Sequence, residues 1–283
     1  MIFTLGILFI EKRIRAQSRF SYKSATSSFE KIKVGGKKSI FPLVVCSIPV
    51  IFGFMIPFFR MISWAWFSKN YIAEISVFQL ASNTLLVAII VSVSTVLLSI
   101  LLGFSSKYFK SKIIYTSNRL ASLGYSTPGA VIAMGALILV GYLSDTFNIL
   151  LSGTLFLLFF AYIVRFLAVA YQPIESGFEK NCEDLNNASK TLGSSPMRSL
   201  YKLNLPLIKN TIIAAGLLVF VDATKELPLT LILRPFNFET LATATFDLSN
   251  QAQIIESSIP SLFIIFMTLI PIIYLNSRIG EER

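Results

Sequence analysis

The chain has 283 residues, of which 54% are hydrophobic and only 14% charged, and its mean hydropathy is +0.70. Soluble domains average roughly 25% charged residues, so the composition excludes an ordinary soluble protein and indicates an all-α polytopic membrane protein. The chain has no histidine, and Cys46 and Cys182 are far apart. This excludes a His-based metal site and any thiolate cluster, so we expect no resident metal, and a metal handled by the chain would need oxygen ligands or would pass through. We also expect no disulfide.

The N-terminal stretch "MIFTLGILFI" is apolar, and basic residues follow it, whereas a signal peptide has them in front. Ten residues of helix cover about 15 Å, half of a roughly 30 Å hydrocarbon core. We interpret residues 1–38 as an apolar stub and a basic cytoplasmic segment. The stub is either the end of a helix that enters from outside or a short tail in the membrane interface.

Six apolar stretches are long enough to span a bilayer. They lie near residues 40–59, 80–104, 121–143, 149–171, 210–233 and 259–277. Twenty of the 25 Lys and Arg fall between or beyond these spans on one side: in 11–38, 105–120, 172–209 and the C-terminal tail. The positive-inside rule places that side, and both ends of the six-span unit, in the cytoplasm. The net charge of +10 is then a property of the loops and does not indicate nucleic-acid binding.

Two spans contain unusual residues. In "YSTPGAVIAMG" we expect Thr127 to cap a helix that has Pro128 in its first turn. Gly129 and Gly135 leave a small-residue surface, which serves either ordinary helix packing or a gate. Arg165 lies inside the fourth span, where it either snorkels to the headgroups or pairs with an acid of the fifth span.

The fifth span ends in the charged stretch "VDATKELPLTLILRPFNFETLA". Asp222, Lys225 and Glu226 are spaced i, i+3, i+4, which predicts that they share one helix face. Pro228 follows within a turn and is expected to kink the helix. The charges either form a structural ion pair within the bundle or line a translocation path or gate.

The cytoplasmic loop between the fourth and fifth spans fits two short helices. The first runs from about Glu179 to Leu192 and stops at Gly193, and the second starts with Ser195 as its cap. The second helix has an apolar stripe, formed by Met197, Leu200 and Tyr201. Such a stripe either docks into a partner protein or packs on the membrane domain of the same chain.

Within this loop, "NASKTLGSSPMRSLYKLNLP" resembles the EAA loop of ABC-importer permeases. The family pattern is Glu-Ala-Ala, three residues, Gly, nine residues, Ile, any residue, Leu-Pro. The matching residues are Ala188, Gly193, Leu205 and Pro206. The departures are Asn187 in place of Glu, Ser189 in place of Ala and Leu203 in place of Ile.

The resemblance implies that residues 39–283 form a type I ABC importer transmembrane domain in a bacterial inner membrane. The loop near 175–210 would form coupling helices that fit a groove on an ABC ATPase subunit. The coupling residues would be Asn187, Ala188, Ser189, Gly193, Met197, Leu200, Leu203, Leu205 and Pro206. The other expected partners are a periplasmic substrate-binding protein, a second permease half and membrane lipid. The chain has no phosphate-binding glycine loop, so we expect no enzyme activity and no cofactor in it.

The stretch after the loop indicates which cargo the importer carries. "DATKELPLTLILRPFNFETLA" resembles the corresponding part of ferric-iron permeases, in which Lys-Glu-Leu-Pro and Arg-Pro-Phe recur, and the chain resembles their second half. Related permeases carry phosphonates, thiamine, polyamines or sulfate. A rival hypothesis is a secondary transporter that uses Asp222 and Glu226 as a proton relay, and a third is a structural membrane protein. In the importer, Asp222, Lys225, Glu226 and Pro228 would line the path or gate.

Overall fold

The computed structural model describes residues 40–68, 76–109, 111–121, 123–148, 151–180 and 183–281. Contacts divide the chain into two units, Met1–Phe54 and Met55–Arg283. The N-terminal stub, the basic segment up to residue 38 and Cys182 lie outside the described residues.

The described part of the first unit is α1 (Ile40–Val50) and the start of a π-helical turn, Ile51–Met55. None of its side chains is buried. Pro49 has no N–H to donate to the helix ladder, and the wider turn begins two residues after it.

The described residues of the second unit form a bundle of helices. In chain order the helices are α2 (Ile56–Phe67), α3 (Val77–Tyr108), α4 (Lys112–Ala121), α5 (Gly129–Phe147), α6 (Leu155–Lys180), α7 (Glu183–Thr191), α8 (Pro196–Ser199), α9 (Leu205–Leu207), α10 (Lys209–Thr224), α11 (Pro228–Leu233), α12 (Leu241–Asn250) and α13 (Ile254–Glu281). The described ranges contain no strand. This is the all-α fold that the sequence predicts.

The main core lies where α3, α6 and α10 pack against one another. Val91, Leu158 and Val219 supply fully buried side chains to it, one from each helix. The Ser92 hydroxyl donates to the Gly216 carbonyl at 2.7 Å and so joins α3 to α10. Small residues at this crossing let the two backbones approach, as is usual between membrane helices.

Five helical runs in the described residues are long and apolar enough to cross a membrane. They are Ile40–Phe67, Val77–Tyr108, Gly129–Phe147, Leu155–Glu179 and Ile254–Ser277. A sixth span is possible only as a broken one, because Pro196–Leu207 and Lys209–Thr224 meet at a bend of 75°. Five of the six predicted spans are therefore confirmed as long apolar helices. The fifth, predicted over 210–233 with a kink at Pro228, is divided into two helices, Lys209–Thr224 and Pro228–Leu233.

The boundaries of several spans also differ from the prediction; the first, for example, ends at Phe67 and not near 59. The third begins at Gly129, not near 121, because a 3-10 turn at Gly124–Ser126 precedes it. Thr127 does not cap this helix, since its hydroxyl donates back to the Gly124 carbonyl at 2.7 Å. The fourth continues past the predicted end at 171 to Lys180. Buried side chains near its end, such as Phe178, keep its last turns packed on the core.

A second, smaller core joins the start of α3 to α12 and α13. Leu241 is fully buried there, and its N–H donates to the Thr84 hydroxyl at 2.9 Å. Arg234, just after α11, lies 3.1 Å from the Asp247 carboxylate and 3.6 Å from that of Glu239. These contacts hold the segment between α11 and α12 against the bundle.

Candidate functional site

The predicted coupling loop starts with α7, whose end is formed as the sequence indicates. Gly193 has φ +74°, a left-handed conformation in which a side chain would be strained. The Ser194 N–H donates to the Ser189 carbonyl at 3.0 Å, which is the bond of a Schellman motif. The helix thus stops at a defined place, and Leu192 beside the stop is almost fully exposed.

The second half of the loop has an inner and an outer side. Its inner residues, Leu200, Asn204 and Ile208, are four apart and buried. Its outer residues, Met197 and Tyr201, are exposed. The predicted stripe of Met197, Leu200 and Tyr201 is therefore wrong in one member, because Leu200, 2% exposed, points into the main core while Met197 is 53% exposed.

A π-helical turn, Leu200–Asn204, links α8 to α9 and directs the inner residues to the core. Ser195 caps α8 as predicted, since its hydroxyl accepts the Arg198 N–H at 3.4 Å. Ile208 packs on Gly177 of α6, where an added Cβ would lie 3.3 Å from the Ile208 side chain. The segment is consequently anchored to α6 and continues directly into α10.

The remaining predicted coupling residues divide between the surface and the core side. Asn187, Ala188 and Pro206 are exposed, and Ser189 and Leu203 are half-buried. Leu205 is half-buried and packs against the main core. The exposed side of the loop is thus a mixed polar and apolar surface. The buried side anchors the loop to the core.

The charged stretch in the fifth span is a break between two helices. α10 ends at Thr224 and α11 begins at Pro228, so the expected effect of Pro228 is observed. The prediction that Asp222, Lys225 and Glu226 share one helix face is wrong. Lys225 and Glu226 lie in the break, with Lys225 59% exposed and Glu226 only 7%.

Glu226 forms a buried ion pair with Arg165 of α6. Its carboxylate lies 3.1 Å from the Arg165 Nε, although that N–H makes no hydrogen bond among the described residues, so the contact is mainly electrostatic. The Arg165 Nη1 donates to the Thr127 carbonyl at 3.1 Å. The pair therefore connects α6, the turn before α5 and the break. Of the two interpretations of Arg165, pairing is observed and snorkelling is not.

The same glutamate also completes the start of α11. Its carboxylate accepts the Leu229 N–H at 3.3 Å, one of the amides that a helix start leaves without a partner. Its backbone carbonyl accepts the Thr230 hydroxyl at 3.0 Å and the Tyr162 hydroxyl at 3.3 Å. Tyr162 and Thr230 are themselves 2.5 Å apart and fully buried. These contacts satisfy the polar groups that the break exposes.

Asp222 and Lys225 form a separate and more accessible cluster. Their side chains are 3.0 Å apart, and the Tyr125 hydroxyl lies 3.4 Å from the other Asp222 oxygen. No three His, Cys, Asp or Glu side chains in the described part of the chain are placed to hold a metal ion. The cluster can instead offer a carboxylate, an ammonium and a phenol to a passing polar group.

Gly129 lies directly against the Arg165–Glu226 pair, a contact that the sequence does not predict. A Cβ added there would lie 2.7 Å from the Glu226 carboxylate and 2.9 Å from the Arg165 guanidinium. Gly135, the other half of the predicted small-residue surface, has open space around it. The sequence feature that could have indicated this close contact is a glycine directly after Thr-Pro at the start of a span.

Comparisons with known proteins show which family the chain belongs to. The family described as "binding-protein-dependent transport system inner membrane component" matches residues 95–277. The Fe(3+)-transport system permease protein FbpB 2 of Haemophilus influenzae is 26% identical over 90% of this chain and 49% of its own length. The putative 2-aminoethylphosphonate transport system permease protein PhnV of Salmonella typhimurium is 25% identical over 57% of this chain and 62% of its own length.

The chain spans about half the length of the Haemophilus permease that it matches. The family match covers more than half of the chain and includes the coupling loop, the broken span and the last long helix. This chain, a multi-pass membrane protein, belongs to the family of binding-protein-dependent transport system inner membrane components.

Proposed function

We propose that the chain is a permease subunit of an ATP-driven ABC importer for ferric iron in a bacterial inner membrane. The observation that supports ferric iron as the cargo is the similarity to an Fe(3+)-transport permease over 90% of the chain. Because the chain spans about half of that relative, we propose that a second permease half, from another copy or another subunit, completes the importer.

The coupling loop is the proposed contact with the ATPase. Its exposed side, with Leu192, Met197 and Tyr201, would fit a groove on that subunit. Its buried side, with Leu200 and Ile208, would transmit movement to α6 and α10 because those contacts are closely packed. ATP hydrolysis would take place on the partner, and the loop would act as a lever between two bistable interfaces.

The two charge clusters of the broken span have different proposed roles. Glu226 holds the break to α6 through Arg165, so its proposed role is to position the gate. Asp222 and Lys225, which are more accessible, would line the path together with Tyr125. A broken helix suits such a role, because irregular backbone at membrane depth occurs where it is buried in protein or lines a cavity.

The loops near 60–78 and 234–258 are the proposed contacts with the periplasmic binding protein, because the alternation of loop charges favours the outside for both. The segment between α11 and α12 lies in the second of these loops. Arg234 holds this segment to α12 through Asp247. A rigid, exposed loop loses little freedom when a partner docks on it.

A second candidate cargo is 2-aminoethylphosphonate, because the name of the Salmonella relative gives that ligand. A secondary transporter that relays protons through Asp222 and Glu226 is disfavoured, since each of these acids is engaged with a basic side chain.

Reconstitution tests the cargo. The chain, its second half, the ATPase and the binding protein are placed in vesicles, and ATP-dependent uptake of ferric iron is compared with uptake of 2-aminoethylphosphonate. Ferric uptake that requires both ATP and the binding protein is expected. Uptake of the phosphonate alone would replace the first cargo by the second, and uptake without ATP would overturn the importer proposal.

Two variants test the coupling loop. Gly193→Pro forces φ near −65° at a residue whose φ is +74°, so the helix stop is lost. Met197→Glu places a charge on the proposed docking side. Both should abolish the ATPase stimulation that accompanies transport and leave membrane insertion unchanged. Asn276→Glu, the same charge at an exposed position near the end of α13 and outside both proposed docking regions, is the matched control. Normal uptake by the loop variants would refute the docking role.

A further inference from the structure

Helix α4 is a short helix that lies outside both charge clusters and the coupling loop. It connects two spans, since α3 ends at Tyr108 just before it and α5 starts at Gly129 just after it. It packs against both α3 and α6. Its inner side carries Asn118, which is buried and whose amide donates to the Leu102 carbonyl at 3.1 Å.

That hydrogen bond fixes the position of α4 along the axis of α3. Leu102 lies six residues before the end of α3, which is about 9 Å back along the helix axis. The 32 residues of α3 extend about 48 Å, about 18 Å more than a hydrocarbon core of about 30 Å. If α3 crosses the bilayer upright and with equal overhang, about 9 Å of it lies beyond the core at each end. In that placement α4 runs beside the part of α3 that crosses the headgroup layer.

The outer side of α4 carries two parallel lines of residues. Ile113 and Leu120 are seven apart and are 78% and 64% exposed. Lys112 and Arg119, also seven apart, are exposed beside them. Residues seven apart in a helix lie on nearly the same line, at about two turns' distance. An apolar line next to a basic line is the pattern of a helix that lies in the membrane interface.

We infer that α4 is an in-plane interfacial helix that binds anionic phospholipid headgroups. Ile113 and Leu120 would enter the acyl boundary, and Lys112 and Arg119 would meet the phosphates. Leu101 and Phe109, near the end of α3, are also exposed apolar residues. The basic line complements negative charge, and the loop of α4 is on the side that the charge distribution assigns to the cytoplasm.

A helix bound to the membrane surface would hold the ends of α3 and α6 at a constant depth in the bilayer. α4 is attached to α6 and α3 near their ends, and the Lys107 ammonium donates to the Phe178 carbonyl at 2.8 Å close by. An anionic leaflet that holds α4 would hold these helix ends at constant depth while the neighbouring coupling loop moves. The inference does not depend on the cargo or on the ATPase.

The first test measures depth without altering either line. Ser117, exposed on the outer side of α4, is replaced by Cys in a chain in which Cys46 and Cys182 are Ser, and is labelled with a fluorophore. The full chain is reconstituted in vesicles of phosphatidylcholine and phosphatidylglycerol. Nitroxide on the headgroups should quench this label more strongly than iodide in the water does. A label at Leu192→Cys, exposed in the coupling loop, should show the opposite order.

The second test measures lipid preference. Native mass spectrometry compares the phosphatidylglycerol retained by the intact chain with that retained by the double variant Lys112→Gln/Arg119→Gln. Each basic residue at an anionic surface contributes about fivefold to binding, so the pair should lower the preference for phosphatidylglycerol over phosphatidylcholine up to ~30-fold. Arg198→Gln/Lys202→Gln, which removes the same charge from exposed coupling-loop positions, should leave the preference unchanged.

Two results would overturn the inference. One is a label at residue 117 that iodide reaches as readily as the label at residue 192, which would place the outer side of α4 in water. The other is an unchanged lipid preference in the double variant on α4. If the reconstituted importer takes up no ferric iron while both lipid tests give the expected results, the proposed cargo is wrong and the interfacial helix is not affected.

Discussion

Removal of the Arg165–Glu226 pair one residue at a time is expected to be far more destructive than removal of both residues. Glu226→Ala leaves a guanidinium in the bundle whose one hydrogen-bond acceptor among the described residues is the Thr127 carbonyl. Breaking one side of a buried ion pair costs about 3–5 kcal/mol. Arg165 keeps 18% exposure, so water can reach part of it, and we expect the lower end of that range.

Two further variants separate charge from hydrogen bonding. Glu226→Gln keeps an oxygen that can accept the Leu229 N–H but loses the charge, so we expect a cost of about 1–3 kcal/mol. The double variant Arg165→Met/Glu226→Gln leaves no buried charge, and replacement of a buried pair in this way is often close to neutral. We expect the double variant to lie within about 1 kcal/mol of the original chain.

The assay is equilibrium unfolding of the purified chain in mixed micelles, followed by circular dichroism. The single variants Arg165→Met and Glu226→Gln and the double variant Arg165→Met/Glu226→Gln form a double-mutant cycle. The coupling free energy between the two positions should be about 2 kcal/mol or more. Additive losses in the double variant, or single losses below about 1 kcal/mol, would show that the pair does not hold the break to α6.

Three other predictions concern the same region and the coupling loop. Gly129→Ala should destabilise the chain by about 1–3 kcal/mol, because its Cβ would crowd the ion pair; thermal unfolding in detergent measures this, and Gly135→Ala, in open space, should have little effect. Asp222→Asn should lower ATP-dependent uptake more than it lowers the yield of assembled permease, whereas unchanged uptake would make the Asp222–Lys225 pair purely structural. Leu200→Glu should lower the yield of folded chain, since Leu200 is buried, and normal expression and stability of that variant would refute its core position.

Several features of the fold follow from local sequence alone. Long apolar runs, low charge and basic loops predict a multi-span helical protein, because a bilayer accepts only segments that satisfy their own backbone hydrogen bonds. Gly193 and Ser195 predict a helix stop and a helix start, since both signals act through adjacent backbone groups. Pro228 predicts a break, because it lacks an N–H and clashes with the preceding turn.

Other features depend on residues that are distant in the chain. The partner of Glu226 is 61 positions away from it, and the spacing within "DATKE" gives no indication that Arg165 is its neighbour. The continuation of α6 beyond residue 171 is a similar case. Its polar end reads as a loop, yet Phe178 is buried by contact with the core.

The sequence by itself determined that the chain is a helical membrane protein and that its fifth span is broken at Pro228. Those properties arise from hydrophobicity and backbone geometry, whereas the coupling pattern was indicated by a resemblance to importer permeases. Only the tertiary structure decided that Leu200 faces inward while Met197 faces outward, and that Glu226 is buried while Lys225 is exposed. Adjacent residues in a turn or a helix break can point to opposite environments, and the packing of α6 against α10 and α11 selects which one each side chain meets.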